Sequence, residues 1–217
     1  MDRYYSYWGR EYTDIPPDSD PLNYFKQEVN AQGEPRWAKG DTVLVYTKGD
    51  AGGNGRSNTQ AGSGVAYIPL YRGKAARLPQ VSDGYDNSTF RRAELEAAIA
   101  AARRPWRREG YSRVVIATDS QYIFTGINEW IYYWQSNGWL TSDRTPVKHR
   151  DLWEQLWRAI NNNQTGTSVQ FYLIRRNQNM AATLAKEGMV SAKPLVILRR
   201  LSLNHLIQKS HPIMRQD

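Results

Sequence analysis

The stretch RVVIATDSQYIFTGINEWIYYWQSNGW, Arg113 to Trp139, decides the fold. Val114, Val115, Ile116 and Thr118 are β-branched and Ala117 lies among them, which is the composition of a strand buried on both faces. The run stops at Asp119-Ser120 and gives way to an aromatic-rich segment with helical spacing. A strand that ends in a carboxylate and enters a helix presents an acid at its C-terminal end.

Upstream of this stretch, Thr42 to Thr47 (TVLVYT) reads as a central strand and Lys48 to Gly55 as the loop after it. A second strand begins in Ala61 to Tyr67 and a third lies around Lys74 to Leu78, giving an antiparallel meander. Arg91 to Ile99, rich in Ala and Glu, predicts a helix, closed by the basic and aromatic run Arg103-Arg104-Pro105-Trp106-Arg107-Arg108. Downstream, Leu152, Leu156, Trp157 and Ile160 mark the packing face of another helix, in which Trp153 and Trp157 read as core residues. Val169 to Ile174 is the last strand, and Asn179 to Lys186 a further helix. Strands and helices in this order predict an α/β domain.

The 217 residues suffice for one domain with extensions: an aromatic arm over 1–40, a domain over 41–188 and a basic, apolar tail over 189–217. The arm mixes Tyr4, Tyr5, Tyr7, Trp8 and Tyr12 with Pro16-Pro17 and shows no strand or helix period, so it reads as extended. It either lies across the domain, docks on a partner or is partly disordered. A net charge of +8 favours a polyanionic partner but names no function. The absence of cysteine excludes disulfides and cysteine metal sites, and His205 and His211 in the tail are too poorly supported to suggest a metal site. No apolar run approaches the ~20 residues needed to span a bilayer, and the N-terminal residues lack the apolar core of a secretory signal. An intracellular protein, nuclear or cytoplasmic and without membrane contact, is expected.

The motifs resemble type 1 ribonuclease H. Thr118-Asp119-Ser120, Gln121-Tyr122, Gly126-Ile127, Trp130, Trp134 and Asn137-Gly138-Trp139 stand in the family's order. Asn54-Gly55-Arg56, Ala61-Gly62-Ser63-Gly64-Val65, the R-A-E-L run ending at Leu95, and Pro146-Val147-Lys148 with Asp151-Leu152-Trp153 extend the match from about Thr42 to Gly188. The resemblance implies a five-stranded mixed sheet flanked by helices. It also implies four carboxylates holding two metal ions, which activate a water and stabilise the leaving oxygen of a phosphodiester.

Carried over position by position, the four carboxylates fall on Lys48, Glu94, Asp119 and Ala182. Two of the four are replaced, and the histidine-bearing loop before the last helix is shortened to Arg175-Arg176-Asn177. This pattern reads as a vestigial site without bound metal or cofactor, in which the Lys48 ammonium neutralises Glu94 and Asp119. Asp50, on the same strand face as Lys48, could rebuild a metal site if the loop folded back, and another acid could serve in its place. Hybrid-binding positions look eroded as well: the lysines of the family's basic protrusion are absent from Gln135 to Leu140, Asn87 and His149 replace two phosphate-pocket residues, and Asn54 and Thr89 remain.

The expectation is therefore a protein that is not an enzyme, an interaction or scaffold module meeting a protein partner through the N-terminal arm or C-terminal tail. Binding of RNA or an RNA/DNA hybrid is the alternative, through Asn54, Thr89, Arg91, Arg92, Arg103, Arg104, Arg107, Arg108, Arg175 and Arg176. A residual metal-dependent ribonuclease with a rewired site is the third reading.

Overall fold

Strand β6 (Arg113–Thr118) is the axis of the sheet, pairing in parallel with β3 (Thr42–Gly52) on one side and β7 (Ser168–Leu173) on the other. Val114 to Thr118 are all buried, as a run of apolar and β-branched residues with helices on both sides requires. The computed structural model describes residues 10–52, 60–69, 72–77, 90–161, 166–190 and 196–197. Beyond β3 the sheet continues antiparallel through β4 (Gln60–Ile68) and β5 (Arg72–Arg77) to the short β8 (Val196–Ile197). The five expected strands are β3 to β7, and the mixed sheet is the one the resemblance implies.

Alternation along the central strands sorts the core into two layers. Val43, Val45, Val114 and Ile116 face a cluster built with α1 (Phe90–Arg103), α4 (Arg150–Asn161) and the helical run after β6. That run is α2 (Gln121–Thr125), a π-helical turn over Gly126–Trp130, and α3 (Ile131–Ser136). Gly126 sits against the ring of Trp153, where a Cβ would come within 2.2 Å. Trp153 is fully buried, as expected of a core residue.

Leu44, Tyr46, Val115 and Ala117 face the other layer, covered by α5 (Ala182–Val190) and by the chain's N-terminal part. Here the structure departs from the expected extended arm. Tyr12, Ile15, Phe25 and Trp37 are buried in this layer, and Tyr12 N–H donates to the Phe171 carbonyl at 2.7 Å along the free edge of β7. Residues 26–39 form a hairpin of β1 (Lys26–Val29) and β2 (Pro35–Lys39), with β2 joining β3 at Ala38↔Val43 and Lys39↔Thr42. All four residues of β1 are exposed, so this strand carries no hydrophobic alternation for the sequence to display. Tyr4, Tyr5, Tyr7 and Trp8, and nearly all of the C-terminal tail, lie outside the described residues.

The hairpin is tied down by a buried ion network. Fully buried Arg36 donates through Nε to Glu109 Oε2 at 2.8 Å, Asn30 donates to the same oxygen at 3.0 Å, and Arg104 bonds Oε1. Burial pushes the Glu109 carboxyl up, but the Arg36 hydrogen bond and the two guanidinium charges outweigh it and hold the group below its ordinary range.

A second departure positions the site. Lys48, Gly49 and Asp50, expected in a loop, lie within β3, which pairs with β4 as far as Gly52↔Gln60. Gly49 serves a close approach rather than a turn: a Cβ there would stand 2.3 Å from the Glu94 backbone nitrogen. Strand and helix therefore meet backbone to backbone, which brings Glu94 beside Lys48. The third strand likewise spans Arg72–Arg77 rather than residues around Lys74 to Leu78.

Candidate functional site

Parallel strands β3 and β6 direct their C-terminal parts to one end of the sheet, where α1 and α2 begin. Such strand ends are where open α/β sheets hold their ligands. An open pocket of about 370 Å³ lies there, lined by Lys48, Phe90, Arg91, Glu94, Asp119, Ser120, Gln121, Tyr122 and Arg176. The pocket thus gathers three of the four positions that the carboxylate pattern selects, together with two of the candidate binding arginines.

Asp119 follows the last residue of β6, and both of its oxygens are engaged. Lys48 Nζ donates to Oδ2 at 2.8 Å, and Asn179 Nδ2 donates to Oδ1 at 2.7 Å. Asn179 is itself fixed by a second donation to the Thr47 carbonyl at 2.9 Å and by accepting the Ala181 N–H. Lys48 also sits 4.9 Å from the centroid of the Phe90 ring, so its charge meets a carboxylate and an aromatic face.

Glu94, on the first turns of α1, accepts from Ser120 Oγ at 2.6 Å. The same hydroxyl caps α2 by accepting from Ile123 N–H. Burial pushes the Glu94 carboxyl up to about 7, with Asp119 adding to the rise while Ser120, Lys48 and Arg91 oppose it. A carboxyl that changes charge near neutral pH in an open pocket is equipped for proton exchange.

Ala182, the fourth position, opens α5 and brings no polar side-chain atom. Asn179 reaches Asp119 instead, a partner that sequence reasoning missed along with Ser120. The signal for Asn179 was its place just before a helix, where an Asn side chain commonly turns back on the backbone. Asp50 does not line the pocket; its Oδ1 accepts the neighbouring Ala51 N–H at 2.9 Å, and it stands one strand repeat beyond Lys48 without folding back.

The candidate binding residues divide between two ends of α1. Arg91 lies over the Tyr122 ring at 4.5 Å and lines the pocket with Arg176, while exposed Arg175 precedes Arg176 on the same turn. Arg92 pairs with Asp151 at 3.3 Å. Arg103, Arg104, Arg107 and Arg108 are at the far end of α1 and in the turn after it, a helix length of roughly 20 Å away. There Arg104 is held by Glu109, Tyr67 and Trp106, and Arg103 donates to Gln155. Asn54, Thr89 and Asn87 lie outside the described residues.

The donor set does not fit a pair of divalent ions. Two carboxylates remain, one with both oxygens committed and a cation already bonded to it, where such ions want several free oxygen ligands. Among the described residues no group of three or more His, Cys, Asp and Glu side chains is arranged to hold a metal ion. Nor is any described helix long and apolar enough to cross a membrane.

Comparison with known proteins agrees with this fold. The RNase H family model matches residues 40–187. A ribonuclease H of Stutzerimonas stutzeri is 34% identical over 157 residues, covering 70% of this chain and 95% of that protein. A ribonuclease H of Escherichia coli is 37% identical over 122 residues, covering 56% and 72%. Among solved structures, LC9-RNase H1, described as a type 1 RNase H with the type 2 active-site motif, superposes with a TM-score of 0.50 at 25% identity, covering 73% of this chain and 78% of that one.

These relatives overturn the expectation that the chain is not an enzyme, because proteins 34% and 37% identical to it carry an enzyme's name. Counting lost carboxylates was an insufficient ground: it registers removed donors and cannot see what Lys48, Ser120 and Asn179 bring to the same place. The match over residues 40–187, the sheet order and the carboxylate-bearing strand end together place this chain in the RNase H family.

Proposed function

We propose that the chain acts on the RNA strand of an RNA/DNA hybrid laid across the pocket at the strand ends. The observation that carries this reading is the balance of charge there. Lys48, Arg91 and Arg176 surround two carboxylates, of which Glu94 holds a proton for much of the time near neutral pH. The opening is therefore net positive and suited to a phosphodiester. Arg91, over the Tyr122 ring, offers a guanidinium fork to phosphate oxygens.

Within this reading each group has a task that needs nothing beyond the chain. Lys48 and Arg91 stand where charge on a phosphate oxygen would be stabilised. Glu94, steadied by Ser120, is the group that takes or gives a proton near neutral pH. Asp119, fixed by Asn179, holds the lysine in place. The relatives named ribonuclease H support the substrate class.

The test is a binding and cleavage assay with labelled RNA/DNA hybrid and all-DNA duplex across a salt series. Hybrid-selective binding that weakens with salt, falls in Arg91→Ala and Arg176→Ala, and is accompanied by RNA-strand cleavage lost in Glu94→Gln is the expected result. No hybrid binding near physiological salt would sink the reading, and binding without cleavage would confine it to recognition.

A further inference from the structure

We infer that the ammonium of Lys48 is the resident cation of the pocket, so that the site takes up a nucleic-acid phosphate without a divalent metal ion. The phosphate half rests on the function proposed above. The cation half stands on the geometry of Lys48 and Asp119 alone.

Lys48 projects from the middle of a paired strand, opposite Gly64 on β4, and its side chain is 7% exposed. Its Nζ lies 2.8 Å from Asp119 Oδ2, a charge-assisted contact made at the carboxylate that the family pattern gives to metal. The other oxygen of Asp119 accepts from Asn179, which the Thr47 carbonyl holds in register with the same strand. A divalent ion entering here would have to expel the ammonium, displace the hydrogen bond from the Asn179 amide and rely on Glu94, whose Oε2 already accepts a hydrogen bond from Ser120. An ammonium carries three N–H donors, and Asp119 takes one of them. Lys48 lines the pocket together with Arg91 and Arg176. A phosphate arriving between these three cations finds its countercharge already in place.

The experiment uses the full chain and two probes. Mn²⁺ alone is titrated into the wild type, Lys48→Asp and Asp119→Asn and followed by the loss of its free-ion EPR signal, with circular dichroism confirming fold. The wild type should leave Mn²⁺ free at concentrations where Lys48→Asp binds one ion, at least about tenfold more tightly. Uptake by the wild type that disappears in Asp119→Asn overturns the inference, and this comparison decides even if Lys48→Asp does not fold. In the second arm, anisotropy of labelled hybrid is read with EDTA and with Mg²⁺. Affinities should agree within about twofold, and a loss in EDTA of about tenfold or more, restored by Mg²⁺, also overturns it. Failure to bind hybrid in either buffer overturns the phosphate half together with the proposed function, while the Mn²⁺ arm still decides the cation half.

Discussion

Lys48 on β3 and Asp119 just past the end of β6 are 71 positions apart, and their side chains meet at 2.8 Å with exposures of 7% and 4%. Neither charge is well hydrated, so each depends on the other. Removing one partner leaves a buried charge uncompensated, which costs about 3–5 kcal/mol. Lys48→Met and Asp119→Asn should each destabilise the fold in urea denaturation, and the double variant should lose clearly less than their sum. Additive losses would show that the pair is not coupled.

The Arg36, Arg104 and Glu109 network makes a pH-dependent prediction. The Glu109 carboxyl is held below its ordinary 4.5, so its contribution is present above that value and is lost as pH falls through the depressed folded-state value. Glu109→Gln should cost about 2–4 kcal/mol near pH 7 by leaving Arg36 buried beside a neutral amide. The gap in melting temperature between variant and wild type should narrow on acidification below the ordinary carboxylate range. A gap that stays constant down to pH 2 would exclude Glu109 as its source.

Gly49 faces the backbone of α1, and a methyl group there would lie 2.3 Å from Glu94 N and 2.6 Å from the Ala93 carbonyl carbon. Backbone cannot rotate away as a side chain can. Gly49→Ala should therefore push the start of α1 from β3 and cost about 1–3 kcal/mol. Gly33→Ala, at a φ of +74° with open space around it, should cost about 1 kcal/mol from backbone strain alone. Comparing the two by chemical denaturation checks the close approach, and equal losses would argue against it.

Tyr12 is 2% exposed and packs 5.9 Å from the Phe25 ring, centroid to centroid, while its backbone covers the edge of β7. Tyr12→Ala should destabilise the domain by about 3–5 kcal/mol, as for other large aromatic truncations. Removing residues 1–25 would in addition uncover a strand edge, and the shortened chain should self-associate in sedimentation. A truncated chain that stays monomeric with unchanged stability would show that this segment is dispensable.

The sequence by itself determined the order of strands and helices from β3 to α5, the carboxylate at the end of β6 and the glutamate on α1. Those features are local: β-branched runs, helical spacing and short motifs express their preferences within a few residues of the chain. Burial of Trp153 was legible for the same reason, as one apolar position on a periodic helix face. What Lys48 does was not legible in full, because a substitution announces a lost donor but not the carboxylate its ammonium will meet.

Only the tertiary structure decided that Lys48 and Asn179 would divide the oxygens of Asp119, that Ser120 would serve both Glu94 and the α2 cap, and that β3 would run on through Asp50. It also decided that residues 10–39 would complete the second face of the sheet, and that the candidate arginines would separate to opposite ends of α1. Each of these outcomes depends on pairing between distant segments, whose geometry is set by register and packing across the whole sheet and is not encoded in any one stretch.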